Sequence, residues 1–175
     1  PMKLRAHLSG LAIALAASLA PVANLAHAGV LENFAENKIV DAVFRAQALG
    51  APATWYVGLH TTTCTEGSAE TEVSTSGTVY GRASVAAALT SFAGTQSAGS
   101  TTASTGTNGT TSNNATVSFS QSTAAWGNLQ SVGFYDAVSA GNQWICIDLT
   151  AAFNVSGAGV TVSFPSGALQ FQIDN

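Results

Sequence analysis

The side chains able to do chemistry are few and widely spaced. Past residue 29 the chain holds one histidine, His60, and its two cysteines, Cys64 and Cys146. A hydrolytic triad needs a base beside its nucleophile. Serines are plentiful, yet no Gly-x-Ser-x-Gly elbow presents one, so a lone His60 on a strand-like stretch reads as structural. His60 with Cys64 and Cys146 could offer three metal ligands, but the paired spacing of a structural zinc site is absent. Glu66, Glu70 and Glu72 form an acidic loop without an Asp-x-Asp-x-Asp-Gly ladder, which reads as solvated. Phosphate-cradling glycine motifs are missing. Asp136 and Asp148, two of the three acids that follow Arg82, suit turn or cap duties better than paired-carboxylate catalysis. The chain is expected to be no enzyme, with no catalytic residue, no metal and no cofactor. The cysteines are expected as reduced, packed thiols; the alternative is a bond across the fold, closing a loop of about 80 residues.

Charge is scarce everywhere, at 8% of 175 residues where a typical domain carries roughly a quarter. Five Lys and Arg face nine Asp and Glu, for a net charge of −4. No basic run exists to release counterions from a phosphate backbone, so nucleic acid is not an expected partner. From Ala83 to Tyr135 no residue is charged. That segment is Thr, Ser, Gly, Ala and Asn with spaced Val, Phe and Trp, the composition of β-rich assembly proteins; for Gly94 to Asn114, disorder competes with this reading. Arg82 is the last basic residue. A single guanidinium in so neutral a region either satisfies a specific set of carbonyls or carboxylates or guards an exposed edge; it is the interface candidate.

These residues must be positioned by three regions, 1–29, 30–50 and 51–175. In the first, Lys3 and Arg5 precede an apolar stretch from Leu8 to Ala20 and a small-x-small sequence, Ala26-His27-Ala28. This is the pattern of a bacterial secretory signal, too short to span a membrane; a retained Ala-rich helix is the alternative. In the second, Leu31, Phe34, Ala35, Ile39, Ala42, Val43, Ala46 and Leu49 recur at helical intervals, predicting an amphipathic helix from Leu31 to Leu49 that Gly50 and Pro52 stop. It packs on its own domain or docks on a neighbouring subunit. In the third the period changes to two: Trp55, Val57 and Leu59 alternate with Tyr56, Gly58 and His60. Further strands are predicted within Thr78–Phe92, Ala115–Ser120, Leu129–Tyr135, Trp144–Leu149, Val160–Phe164 and Leu169–Ile173, separated by glycine-bearing turns. Seven or eight such strands predict an all-β sandwich preceded by one amphipathic α-helix.

Several ordered landmarks add a resemblance. Pro52 to Thr62, Thr71-Glu72-Val73-Ser74, Val79-Tyr80-Gly81-Arg82, Asn114 to Phe119, Trp126-Gly127, Val132 to Ala137 and Phe164 to Leu169 resemble small tailed-bacteriophage virion proteins, labelled capsid cement (decoration) or tail fibre proteins. The resemblance spans about residues 31 to 175, and the family's Tyr-x-Arg before a strand is matched by Tyr80-Gly81-Arg82. It implies a jelly-roll-like β-sandwich on the outer capsid surface of the virion, bridging and stabilising major capsid proteins and associating with copies of itself as a homo-oligomer, with no membrane in the mature state. The signal-like leader is not part of that pattern; an over-extended reading frame, with the true start somewhere before Leu31, would remove the conflict. The expected function is thus a head decoration protein. Alternatives are a tail fibre or receptor-binding module, with Trp55, Trp126 and Trp144 as platforms unless they are buried in the core, and a secreted bacterial adhesin or pilus-like subunit, which the leader and a Cys64–Cys146 bond would support.

Overall fold

The computed structural model describes residues 29–96, 99–106 and 109–173. The signal-like sequence of residues 1–28 lies outside the described residues. In chain order the elements are β1 (Val30–Leu31), α1 (Asn33–Phe44), β2 (Thr54–His60), β3 (Ala83–Ala86), β4 (Thr110–Ser112), β5 (Val117–Ser118), β6 (Gly127–Tyr135), β7 (Gln143–Val155), β8 (Ser163–Phe164) and β9 (Gln170–Gln172).

Alternation along β2 explains the register of the main sheet. Val57 pairs with Phe134, which pairs with Ile145; Leu59 pairs with Val132, which pairs with Ile147. These two apolar rows lie on one face, because side chains switch sides at every residue. They pack against Val117, Phe119, Phe164, Leu169 and Phe171 to form the buried core. Burying each such side chain contributes about 1.5–3 kcal/mol. Rows Gly58–Gly133–Cys146 and His60–Ser131–Asp148 fall on the opposite face. That face is covered too: Val57 through His60 are all buried. A strand with the alternation of a half-buried one is therefore buried on both sides, because the chain after His60 crosses that face, where Cys64 bonds Cys146, and returns along the edge of β2, with Val73 N–H donating to the Leu59 carbonyl at 2.9 Å.

The all-β class is as expected, with one helix before it. The sheets differ from a jelly roll of two four-stranded layers. One antiparallel sheet has the order β1-β7-β6-β2-β3, and the second layer consists of the pairs β4-β9 and β5-β8. Thr78–Phe92 yields only β3, since Ala88 to Phe92 close into a turn with Ser91 and Phe92 N–H bonding the Ala88 carbonyl. Strand β7 runs to Val155, past Leu149, because its far half pairs with Gly127 to Leu129 of β6.

Leu31 belongs to β1, paired with Ile145, and not to the helix. Helix α1 ends at Phe44, short of Leu49: Ala46 takes a left-handed φ of 54°, and the Arg45 and Gln47 amides both return to the Asp41 carbonyl at 3.1 Å. Only Ala35 of the helix is buried. Val43 and Phe44 are 66% and 80% exposed, so the second half of the apolar stripe has no partner within the described chain.

The cysteines are a correction. Cys64 and Cys146 form a disulfide across a separation of 82 residues. The backbone return after His60 brings Cys64 above the polar face of β7, where its N–H donates to Asp148 Oδ1 at 2.7 Å. Spacing alone could not reveal that return. In the chain-entropy picture a loop of this length stabilises the fold by about 4–5 kcal/mol.

Candidate functional site

The polar face of the sheet gathers most of the residues singled out for chemistry. Tyr135 lies at its centre, and glycines make room for it. A Cβ on Gly133 would stand 2.6 Å from His60 Cε1 and 2.8 Å from Tyr135 Cε2; one on Gly58 would meet Tyr135 Cε2 and Glu72 Oε1 at 3.0 Å. Arg82 lies over the Tyr135 ring, its guanidinium carbon 3.3 Å from the centroid, a cation–π contact. The same guanidinium grips Glu72 with two donors, Nε to Oε1 at 2.9 Å and Nη2 to Oε2 at 2.7 Å, and Nη1 donates to the Ala137 and Ala140 carbonyls at 2.8 Å. Tyr80 donates to Glu72 Oε1 at 2.8 Å and accepts from the Leu59 amide. Burial pushes the Glu72 carboxyl up, but the hydrogen bonds from Arg82 and Tyr80 and the Arg82 charge together hold it below its ordinary value. The interface candidate Arg82 thus has its donors committed to its own chain, with a side chain only 6% exposed.

His60 is fully buried. Its Nδ1 lies 3.0 Å from Ser131 Oγ and its Nε2 2.7 Å from Tyr135 Oη. Burial depresses its pKa from 6.5 to about 4, against the opposing charges of Glu70 and Glu72, so the ring is neutral and donates only once. Ser131 gives its proton to the Thr62 carbonyl at 2.7 Å, which makes Nδ1 the donor and Nε2 the acceptor from Tyr135. The Gln143 amide, 2.7 Å from Tyr135 Oη, then has to turn its N–H toward Tyr135, giving a partner to the nitrogen that otherwise lacks one. The result is a one-directional chain from Gln143 through Tyr135, His60 and Ser131 to a backbone carbonyl. Such a chain positions groups; it leaves no base free for a substrate.

His60, Glu70 and Cys146 each place one possible ligand atom within 4.8 Å of the others. Cys146 is spent in the disulfide and both imidazole nitrogens are engaged, so this trio is not a metal centre in the oxidised protein. The acidic loop is solvated only in part: Glu66 is exposed, whereas Glu70 and Glu72 are half-buried. Asp136 accepts from the Asn142 backbone and side chain at 2.7 and 2.9 Å, a turn duty. Trp126 and Trp144 are 4% and 5% exposed and offer no platform. Glu32, which nothing in the sequence pattern marked, is buried, and burial with the charge of Glu70 raises its pKa from 4.5 to about 7.

On the other side of α1 lies an uncharged cleft of about 610 Å³, walled by Ile39, Leu49, Trp55, Leu89, Phe134 and Phe171 among others. Exposed Val40, Val43 and Phe44 continue the helix beside it. Among the described residues no helix is long and apolar enough to cross a membrane.

The described residues form an all-β fold whose polar groups largely bind one another and which leaves apolar surface exposed. Residues 31–172 match the family described as Podophage GP4 fiber I protein gp80, and the chain belongs to that family. It is a structural protein of the phage particle, of fibre type. The match supports the fibre side of the resemblance read from the sequence and not the head-decoration side. Among curated proteins none matches this sequence.

Two predictions follow from the polar face. Arg82→Ala leaves the Glu72 carboxylate facing Tyr80 without its counter-charge, and should cost about 3 kcal/mol in urea unfolding; an unchanged midpoint would refute the clamp. Glu32 has a folded pKa above its unfolded one, so its contribution to stability is full below about pH 4.5 and is lost as pH rises through about 7. In chelator-treated buffer Glu32→Gln should therefore raise Tm at pH 8 and leave it unchanged near pH 4.5.

Proposed function

We propose that the protein is a tail-fibre module of the phage particle, non-enzymatic, whose copies associate through the apolar end of α1 and the neighbouring cleft. The observation that carries the fibre reading is the family match across nearly the whole described chain. Self-association is supported by two unpartnered apolar features of one molecule: an uncharged cleft of about 610 Å³ and, on the helix that lines it through Ile39, a Phe44 that is 80% exposed. Repeated over several copies, modest apolar contacts sum to firm attachment, and an uncharged lining escapes the desolvation cost of buried charge. The interior role of Arg82 fits this division, since it holds the sandwich rigid while the apolar surface makes the contacts.

The disulfide, together with the signal-like sequence at the start of the chain, favours a secreted protein. A phage particle released into an oxidising medium meets the same redox conditions as an exported protein, so the bond is compatible with both.

Purified particles should carry this chain at a small fraction of the copy number of the major capsid protein, counted on a quantitative gel. Equal numbers would restore the head-decoration reading, with the major capsid protein as partner. The purified protein should be an oligomer by native mass spectrometry, and Phe44→Asp should shift it to monomer with an unchanged Tm. An oligomer insensitive to that change would remove the proposed surface.

A further inference from the structure

A second cleft, of about 370 Å³, opens where the start of α1 meets the loop after β2 and the β6–β7 turn. Glu32, Phe34, Glu70, Tyr135, Asn142 and Gln143 form much of its wall. Glu32 is the N-cap residue of α1, a position where a carboxylate ordinarily accepts from the first-turn amides; here it makes no side-chain cap bond and lines the cleft instead. It is only 7% exposed, and its Oε1 is buried with no hydrogen-bond partner. Glu70 Oε1 accepts from the Thr65 amide at 3.0 Å, while Glu70 Oε2 is likewise buried and without a partner.

No basic side chain answers these acids. Among the described residues the ion pairs are Arg45–Asp41 and Arg82–Glu72. The Lys38 ammonium, the other cation of this region, lies over the Phe34 ring at 5.6 Å from its centroid. Two carboxylates in each other's field, each with a buried oxygen and without a counter-charge, raise the cost of keeping both ionised. An unsatisfied buried acceptor costs free energy unless something fills it.

We propose that Glu32 and Glu70 bind a divalent cation of the Ca²⁺ type in this cleft. The wall offers carboxylate and amide oxygens, the donor set of a hard cation. The softer ligands nearby are unavailable, because both nitrogens of His60 are engaged and Cys146 is in the disulfide. The cleft is wide enough for the waters that such an ion keeps. Gly67 to Ala69 border it, so the ion would tie the acidic loop to the start of α1, adding to the contact that Gly67 already makes with Glu32. The competing state is a proton in place of the ion, held on Glu32.

Terbium ions separate the two. Tb³⁺ added to the chelator-treated protein at pH 7.5 should give emission sensitised by Tyr135, and CaCl₂ should quench it by displacement. CaCl₂ should also raise Tm by several degrees through mass action on the folded state. Both responses should be lost in Glu32→Gln and in Glu70→Gln. Glu32→Gln is expected to be at least as stable as the parent at this pH, so its loss of response cannot come from unfolding. Absence of sensitised emission, a Ca²⁺ response in either variant equal to that of the parent, or displacement of Tb³⁺ by methylammonium chloride as readily as by CaCl₂ would overturn the proposal. A proton-sharing pair predicts the first of these outcomes and an amine pocket the last.

Discussion

The clamp of Arg82 on Glu72, stacked over Tyr135, is the interaction on which the covered face of the sheet depends. It joins three separate segments: Glu72 from the loop after β2, Tyr135 from the end of β6, and the Ala137 and Ala140 carbonyls from the β6–β7 turn. A sheet can bury one face with apolar residues, as the Val57, Val132 and Ile147 side does. Burying the other face under a polar loop requires every donor and acceptor to be matched. Arg82 supplies several donors in a rigid fork at the point where carboxylate and carbonyl oxygens converge. Lysine, a point charge on a flexible stem, could not span that set.

The remaining polar groups on this face follow from the same demand. His60 is neutral because burial outweighs the pull of the nearby carboxylates, and a neutral imidazole passes hydrogen bonding in one direction between Tyr135 and Ser131. The disulfide fastens the loop at one end, the ion pair at the other, and Glu70 with Glu32 borders the outer rim. His60, Tyr135, Ser131, Tyr80 and Glu72 on this face engage one another. This agrees with the fibre family to which the chain belongs.

Much of this was legible in particular residues. The alternation of Trp55, Val57 and Leu59 with Tyr56, Gly58 and His60 assigned β2 and its faces correctly, because period two has no other physical reading at that length. Arg82 drew notice through isolation alone, and the two roles weighed for it included the carbonyl and carboxylate set that it satisfies. Glu32 was invisible: an acid at the start of a helix is ordinary, and its burial comes from a loop more than thirty positions away. The helix end was misjudged because Gly50 and Pro52 are strong stop signals, while the left-handed turn at Ala46 has no residue signature. The cysteine pairing was equally hidden, since it depends on the chain doubling back after His60.

By itself the sequence determined the class: strands from period-two alternation, preceded by one helix. Those are local or compositional properties, written in neighbouring residues. Tertiary structure alone decided that the loop after β2 lies over the sheet, that Cys64 meets Cys146 and that Glu32 meets the field of Glu70. These depend on contacts between positions tens of residues apart. No local pattern encodes such distances, because the free energy that selects them belongs to the packed whole.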